Sequence, residues 1–248
     1  MAKKIMKPKA KKKKRATVKA PARKSPDRKK ASRPVAKPKA GRKPAADVRK
    51  PAVMRQVKPH EEVIIMDDMS IKIENVVAFS VLGIDISLDK LVGRIENAEY
   101  EPEQFPGLVY RTKNPRAAAL IFSSGKIVCT GAKSIEEAKR ATGQVVDVLR
   151  KTGIKVPKEY STVIENIVAS SKINAVLALE ELAFALENAE YEPEQFPGLV
   201  YRISEPRVTF LLFSSGKIIC TGACSIDDVK RALARLKEKL KEAGVEFK

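Results

Sequence analysis

Sixteen residues, ENAEYEPEQFPGLVYR, run from Glu96 to Arg111 and recur letter for letter from Glu187 to Arg202. The 91-residue offset holds without a gap from about residue 73 onward. Asn75 matches Asn166, Val77 matches Val168, FSSGKI at 122–127 matches 213–218, and CTGA at 129–132 matches 220–223. A chain that spells one unit twice must build two like units that do the same physical job at two places. A period of roughly 90 residues is too long for a stacked solenoid. The two copies, 61–158 and 159–248, are therefore expected to join into one pseudo-two-fold body with a continuous sheet.

Each copy reads in the same order. A strand (IENVVAFSV or IENIVASSK) precedes a short helix (LDKLVGRIENA or VLALEELAFALENA). Four strand-like pieces follow: AEYEPE, LVYR, the run into LIFSS or LLFSS, and KIVCTG or KIICTG. Pro-Gly at 106–107, Asn-Pro at 114–115 and Ser-Gly at 124–125 mark turns between them. A long amphipathic helix closes each copy. Ser134 and Ser225, each followed by acids, predict its start, and Gly153 and Gly244 predict its end. The sum is an α+β fold, βαββββα twice, with about ten strands and four helices.

Strand periodicity then raises a problem. Alternate residues face opposite sides. Ile127 and Cys129 share one face; Lys126, Val128 and Thr130 share the other. Ala119 and Ile121 lie opposite Leu120 and Phe122, and Glu74, Val76 and Ala78 are expected opposite Asn75 and Val77. Both faces carry apolar residues, yet four helices cover only one side of so wide a sheet. The other side then exposes Val77, Leu120, Phe122 and Val128 with their copies Val168, Leu211, Phe213 and Ile219. A patch that large marks a binding surface. One occupant is another protein, including a second copy of the chain. The other is a nucleic-acid groove, which the Asn, Thr and flanking cations suit better: minor-groove proteins combine apolar wedges with short polar groups that read A·T pairs.

Charge is distributed unevenly. Residues 1–60 hold 24 of the 49 Lys and Arg against two acids, Asp27 and Asp47, with eight prolines and no aromatic residue. Such a segment cannot bury enough apolar area to offset its ordering entropy, so it is expected to be disordered. It reads either as an arm that attracts phosphate backbones or as a solvated tail. The rest of the chain is nearly neutral. No run is long enough to span a membrane, and the three cysteines form no disulfide framework. No catalytic set is evident. The only histidine, His60, sits at the end of the tail, and SSGKIV lacks the first glycine and the final Ser or Thr of a phosphate loop. No enzyme activity, cofactor or metal is expected.

The motifs EYEPEQFPGLVYR and FSSGKIVCTGA, present twice and each after IENxVA, closely resemble the TATA-box-binding protein family, most of all its archaeal type, over about residues 70–248. The resemblance implies a saddle whose concave sheet sits on the minor groove of TATA promoter DNA, with the helices on the convex face. It implies that Phe105 with Phe122, and Phe196 with Phe213, act as wedges that bend the duplex. Asn75 with Thr130, and Asn166 with Thr221, would meet the base acceptors at the centre. Val77, Val128, Val168 and Ile219 would exclude the guanine amino group, beside Leu120 and Leu211. Arg111, Arg202, Lys126 and Lys217 would grip phosphates.

Further implications concern partners. Members recruit transcription factor B, and through it RNA polymerase, by acids matching Glu192 and Glu194; Gln195 stands where eukaryotic members have leucine. A homodimer off DNA fits the same open face. The location implied is the archaeal cytoplasm, on the nucleoid, or the nucleus in a eukaryote. Because Pro106 equals Pro197 and Gln104 equals Gln195, the floor itself is expected to say little about binding polarity. A partner, or the unmatched last helix, would supply it. The remaining readings are a nonspecific architectural chromatin protein driven by the basic tail, and a repair enzyme on a related two-repeat fold, for which no base-excising residue is evident.

Overall fold

The computed structural model describes residues 63–66 and 69–247; the basic segment 1–60 lies outside them. The first half contains β1 (Val63–Met66), β2 (Met69–Val81), α1 (Leu88–Val92), β3 (Ala98–Glu99), β4 (Gly107–Lys113), β5 (Arg116–Phe122), β6 (Lys126–Ala132) and α2 (Ile135–Lys151). The second contains β7 (Val163–Lys172), α3 (Leu179–Ala185), β8 (Ala189–Glu190), β9 (Leu199–Ile203), β10 (Val208–Leu212), β11 (Lys217–Ala223) and α4 (Ile226–Glu242). All strands join one curved antiparallel sheet in the order β3-β4-β5-β6-β2-β7-β11-β10-β9-β8, with β1 paired to the start of β2.

The seam between halves is the β2–β7 pair. Val76 lies opposite Ile167, its own repeat counterpart, so the pseudo-dyad passes between them. On either side Asn75 faces Val168 and Val77 faces Asn166, the same pairing seen from each half. The two copies are therefore one sheet joined by backbone hydrogen bonds.

Helices cover one side. Leu149, Val145 and Ala141 of α2 pack with Leu88, Leu91, Ile121, Ile127 and Cys129 in the first half. Leu233, Leu236 and Leu240 of α4 pack with Leu179, Leu182, Phe210 and Ile218 in the second. The three- and four-residue spacing of these side chains gives each long helix one apolar stripe. Ser134 Oγ accepts from the Glu137 amide at 3.1 Å, and Ser225 Oγ from the Asp228 amide at 3.0 Å, as the capping pattern predicts. Gly153 and Gly244 take the left-handed backbone (φ 89° and 84°) that lets the next amide turn back onto the carbonyls of Leu149 and Leu240. No helix among the described residues is long and apolar enough to cross a membrane.

Several elements differ from expectation. The helix read over LDKLVGRIENA stops at Val92, and its partner stops at Ala185. Asn97 and Asn188 then adopt left-handed backbone (φ 61° and 62°), which turns the chain into the sheet. The strand read over AEYEPE keeps only Ala98–Glu99, because the amides of Gln104 and Phe105 close a turn onto the Glu101 carbonyl. β1 is an eleventh strand that the repeat did not foretell. A bulge between Ile73 and Asn75 also breaks the two-residue alternation. It puts Glu74 on the open face, where its Oε1 accepts from Ser170 Oγ at 2.7 Å, rather than beside Val76 and Ala78 as strict alternation predicts.

Candidate nucleic-acid interface

Opposite the helices the sheet has no cover among the described residues. Val77, Leu120, Phe122 and Val128 of the first half, and Val168, Leu211, Phe213 and Ile219 of the second, are partly exposed and belong to neither core cluster. Their neighbours along each strand are fully buried: Val76, Ile121 and Ile127; Ile167, Leu212 and Ile218. Strand alternation therefore places an apolar floor back to back with the core.

At each end of the floor stands a phenylalanine pair. Phe105 and Phe122 meet edge to face, with ring centroids 5.8 Å apart and planes at 65°. Phe196 and Phe213 repeat this at 5.9 Å and 67°. One ring of each pair comes from the loop after β3 or β8, the other from the end of β5 or just beyond β10. Gly107 and Gly198 make the pairing possible. A Cβ on either would stand 2.7 Å from Cε1 of Phe105 or Phe196, and within 3.2 Å of Phe122 or 3.1 Å of Phe213. Sequence reasoning saw these glycines only as turn formers; the signal available was their place between the two aromatics.

At the centre, Asn75 Nδ2 donates to Thr130 Oγ1 at 3.1 Å, and Asn166 Nδ2 to Thr221 Oγ1 at 3.2 Å. Both Oδ1 atoms accept a backbone amide, from Gly131 and from Gly222, at 2.7 Å. The sheet thus holds each carboxamide oxygen inward and leaves the amide donors beside a threonine on the open face.

Cations line the rim. Arg111 pairs with Glu99 at 3.4 Å and Arg202 with Glu190 at 2.8 Å, all four side chains exposed. Exposed ion pairs of this kind are weak, so a phosphate can take the guanidinium from its carboxylate. Lys126 Nζ lies 5.1 Å from the centre of the Phe79 ring, and Lys217 is exposed at the matching place. Glu74 is an acid of the floor. The Ser170 hydrogen bond, with the charges of Lys72 and Lys133, holds its carboxyl below the ordinary range despite some desolvation. Glu192 and Glu194 are exposed in the loop before Phe196, where the Gln195 side chain donates to Glu192. Glu101 and Glu103 stand likewise in the first half. The structure thus brings together the floor, wedge and cation residues on one face, and the acids on the loops beside it.

The floor is less symmetric than the repeat suggested. Phe79 corresponds to Ser170, Val81 to Lys172, and Ala118 to Thr209. Phe79 has no like residue in the second half, so the repeat does not mark it.

Two copies of one unit, joined at a seam and presenting a bare apolar floor with paired phenylalanines and a cationic rim, define a protein with an open binding face built on a duplicated fold. The family model described as "Transcription factor TFIID (or TATA-binding protein, TBP)" matches twice, over residues 70–152 and 161–243. The chain is 53% identical over 177 residues to the TATA-box-binding protein of Methanothermobacter thermautotrophicus, covering 71% of this chain and 98% of that protein. It is 52% identical over 182 residues to that of Archaeoglobus fulgidus, covering 73% and 100%. The solved structure of Methanococcus jannaschii TBP superposes with a TM-score of 0.65 at 48% identity, covering 69% of this chain and 98% of that one. The chain belongs to this family of transcription initiation factors, with archaeal relatives, and the family is not one of enzymes.

Proposed function

We propose that this chain starts transcription by seating its open face on the minor groove of an A·T-rich promoter element and bending it. Phe105 with Phe122, and Phe196 with Phe213, enter between base steps at the two ends, as wedges do in minor-groove proteins, this family among them. Asn75, Thr130, Asn166 and Thr221 meet the adenine N3 and thymine O2 acceptors, while Val77, Val128, Val168 and Ile219 leave no room for the guanine amino group. Leu120 and Leu211 extend the apolar floor, and Arg111, Arg202, Lys126 and Lys217 hold phosphates. The observation that carries this reading is the duplicated phenylalanine pair over a glycine on an uncovered sheet face.

Recruitment of transcription factor B belongs to the same proposal. Glu192 and Glu194 form its acidic contact on the second loop, and RNA polymerase follows indirectly. Residues 61–158 and 159–248 act as the two repeats, and the protein works on the nucleoid. Away from DNA, a second copy is the occupant that would cover the same apolar floor.

End-to-end fluorescence transfer on a labelled A·T-rich duplex tests the core of this. Phe196→Ala with Phe213→Ala should reduce bending more than Lys126→Ala; equal bending by all variants overturns wedge insertion. Deleting residues 1–60 should leave the A·T preference intact and flatten the salt dependence, by about 0.9 in slope for each phosphate no longer neutralised. Abolished binding would instead favour an architectural protein driven by its tail.

A further inference from the structure

The two halves of the floor differ at several positions, and in size and charge most of all in one neighbourhood. Phe79 of β2 lies on the open face, opposite Val128 of β6 and Val163 of β7. Its ring is partly exposed, and the Lys126 ammonium sits over it. The equivalent residue of the second half is Ser170, opposite Ile219 and Lys72. Its hydroxyl is turned onto Glu74 Oε1 at 2.7 Å. Two residues further along, Val81 pairs with Lys126 in the first half, whereas Lys172 pairs with Lys217 in the second. One half therefore carries an extra aromatic ring next to an aliphatic residue, and the other carries an extra exposed ammonium next to a lysine.

We infer that the floor itself distinguishes the two ends of its DNA element, and that Phe79, opposed by Ser170 and Lys172 in the other half, is the residue that sets which way round the protein binds. The inference rests on the proposed seating of this face in a minor groove. A ring and an ammonium ask different things of a duplex. The ring needs a groove that opens to receive apolar bulk, and it gains from contact with sugar faces. The ammonium gains where the groove is narrow and its potential more negative. An element whose two ends differ in stiffness thus offers two unequal seatings. The matched residues, including the four wedges and the Asn–Thr pairs, contribute equally to both and cancel. Phe79, Ser170, Val81 and Lys172 do not cancel. On this inference the floor contributes polarity that was expected mainly from a partner or from the unmatched last helix.

The full chain carries its own reporter. Cys224 is the exposed cysteine, and Cys129 and Cys220 are buried. The counterpart of Cys224 in the first half is Lys133, so an iron chelate attached to Cys224 marks one side of the pseudo-dyad and reads the two seatings as different cleavage patterns. With an end-labelled duplex carrying alternating T-A steps at one end and an A-tract at the other, and no partner protein, cleavage should favour one pattern roughly fivefold, the ratio for two seatings about 1 kcal/mol apart. Phe79→Ser should bring the two patterns close to equal. Phe79→Ser with Ser170→Phe should reverse the preference. Val81→Lys with Lys172→Val, which leaves the aromatic in place, should weaken it and guards against a folding defect in the aromatic swap. Equal weight of the two patterns for the wild-type chain, or an unchanged bias in the double swap with bending retained, overturns the inference. Loss of A·T-specific binding by the wild-type chain overturns the proposed function instead, so the two failures are distinct.

Discussion

The backbone amide of Gly131 holds Asn75 in one amide orientation: it donates to Oδ1 at 2.7 Å, leaving Nδ2 as the donor on the open face. The Gly222 amide does the same for Asn166. The minor groove of A·T pairs offers acceptors only, so a carboxamide free to flip would present the wrong atom half the time. Asn75→Asp replaces that donor by a second acceptor and brings a negative charge toward the bases. Titration of a labelled A·T-rich duplex should show affinity reduced roughly 10- to 100-fold, the range for a polar group left without its partner. Asn166→Asp should match it, and affinity within twofold of wild type in either variant would remove the Asn–Thr pairs from base contact.

Gly107 and Gly198 support the wedges by having no side chain. A methyl group at either must displace a phenylalanine ring that now sits over the backbone, since it would lie 2.7 Å from the ring edge. Gly198→Ala should therefore reduce DNA bending in the fluorescence assay while moving the melting temperature only a few degrees. A bend equal to wild type would show that the ring position over this glycine is not what enters the duplex.

Phe210 and Phe213 stand three residues apart, on and just beyond β10, yet they serve opposite layers. Phe210 is fully buried and stacks on Tyr201, with ring centroids 6.3 Å apart at 18°. Phe213 lies on the open face. Phe210→Ala should cost about 3–5 kcal/mol of stability, as for other buried aromatics. Phe213→Ala should cost about 1 kcal/mol or less and instead lose bending. Denaturant melts paired with the bending assay read both, and the opposite ordering would invert the assignment of core and floor.

Cysteine reactivity provides an independent check on the layers. Burial pushes the Cys220 thiol up to about 12 and raises Cys129 as well, so at pH 8 neither forms appreciable thiolate. Cys224 is exposed. Alkylation of the folded chain at pH 8 should modify Cys224 alone, with the other two reacting only in denaturant. Three equivalents taken up at one rate under native conditions would contradict the packing of β6 and β11 against the helices.

Much of this was legible in sequence because two simple periods carried it. The 91-residue offset gave the pseudo-dyad, and the two-residue alternation separated Ile127 and Cys129 from Val128 and Thr130. Serines and glycines marked both ends of the long helices. The failures share a cause: each is a place where the local period breaks. The bulge beside Ile73 moved Glu74 to the other face, which no count of alternate residues can show. Asn97 and Asn188, beyond the ends of the short helices, turn the chain into the sheet through backbone conformation rather than through polarity. Phe79 escaped because comparing repeats rewards agreement, and its meaning lies in having Ser170 as its counterpart. Gly107 read as a turn former because its importance is a distance to a ring, which its place between two aromatics only hints at.

The ladder between β2 and β7 has a mechanical consequence. Because Val76 and Ile167 meet inside the β2–β7 ladder, with a bulge on either side of them, the two halves are joined at the midpoint by paired backbone rather than by a hinge loop. Under the proposed function nearly all of the distortion on complex formation then falls on the nucleic acid. Selectivity would follow from how readily a given stretch of duplex yields to a fixed curvature, so the pliancy of untouched base steps should rank promoters as strongly as any atom the protein meets.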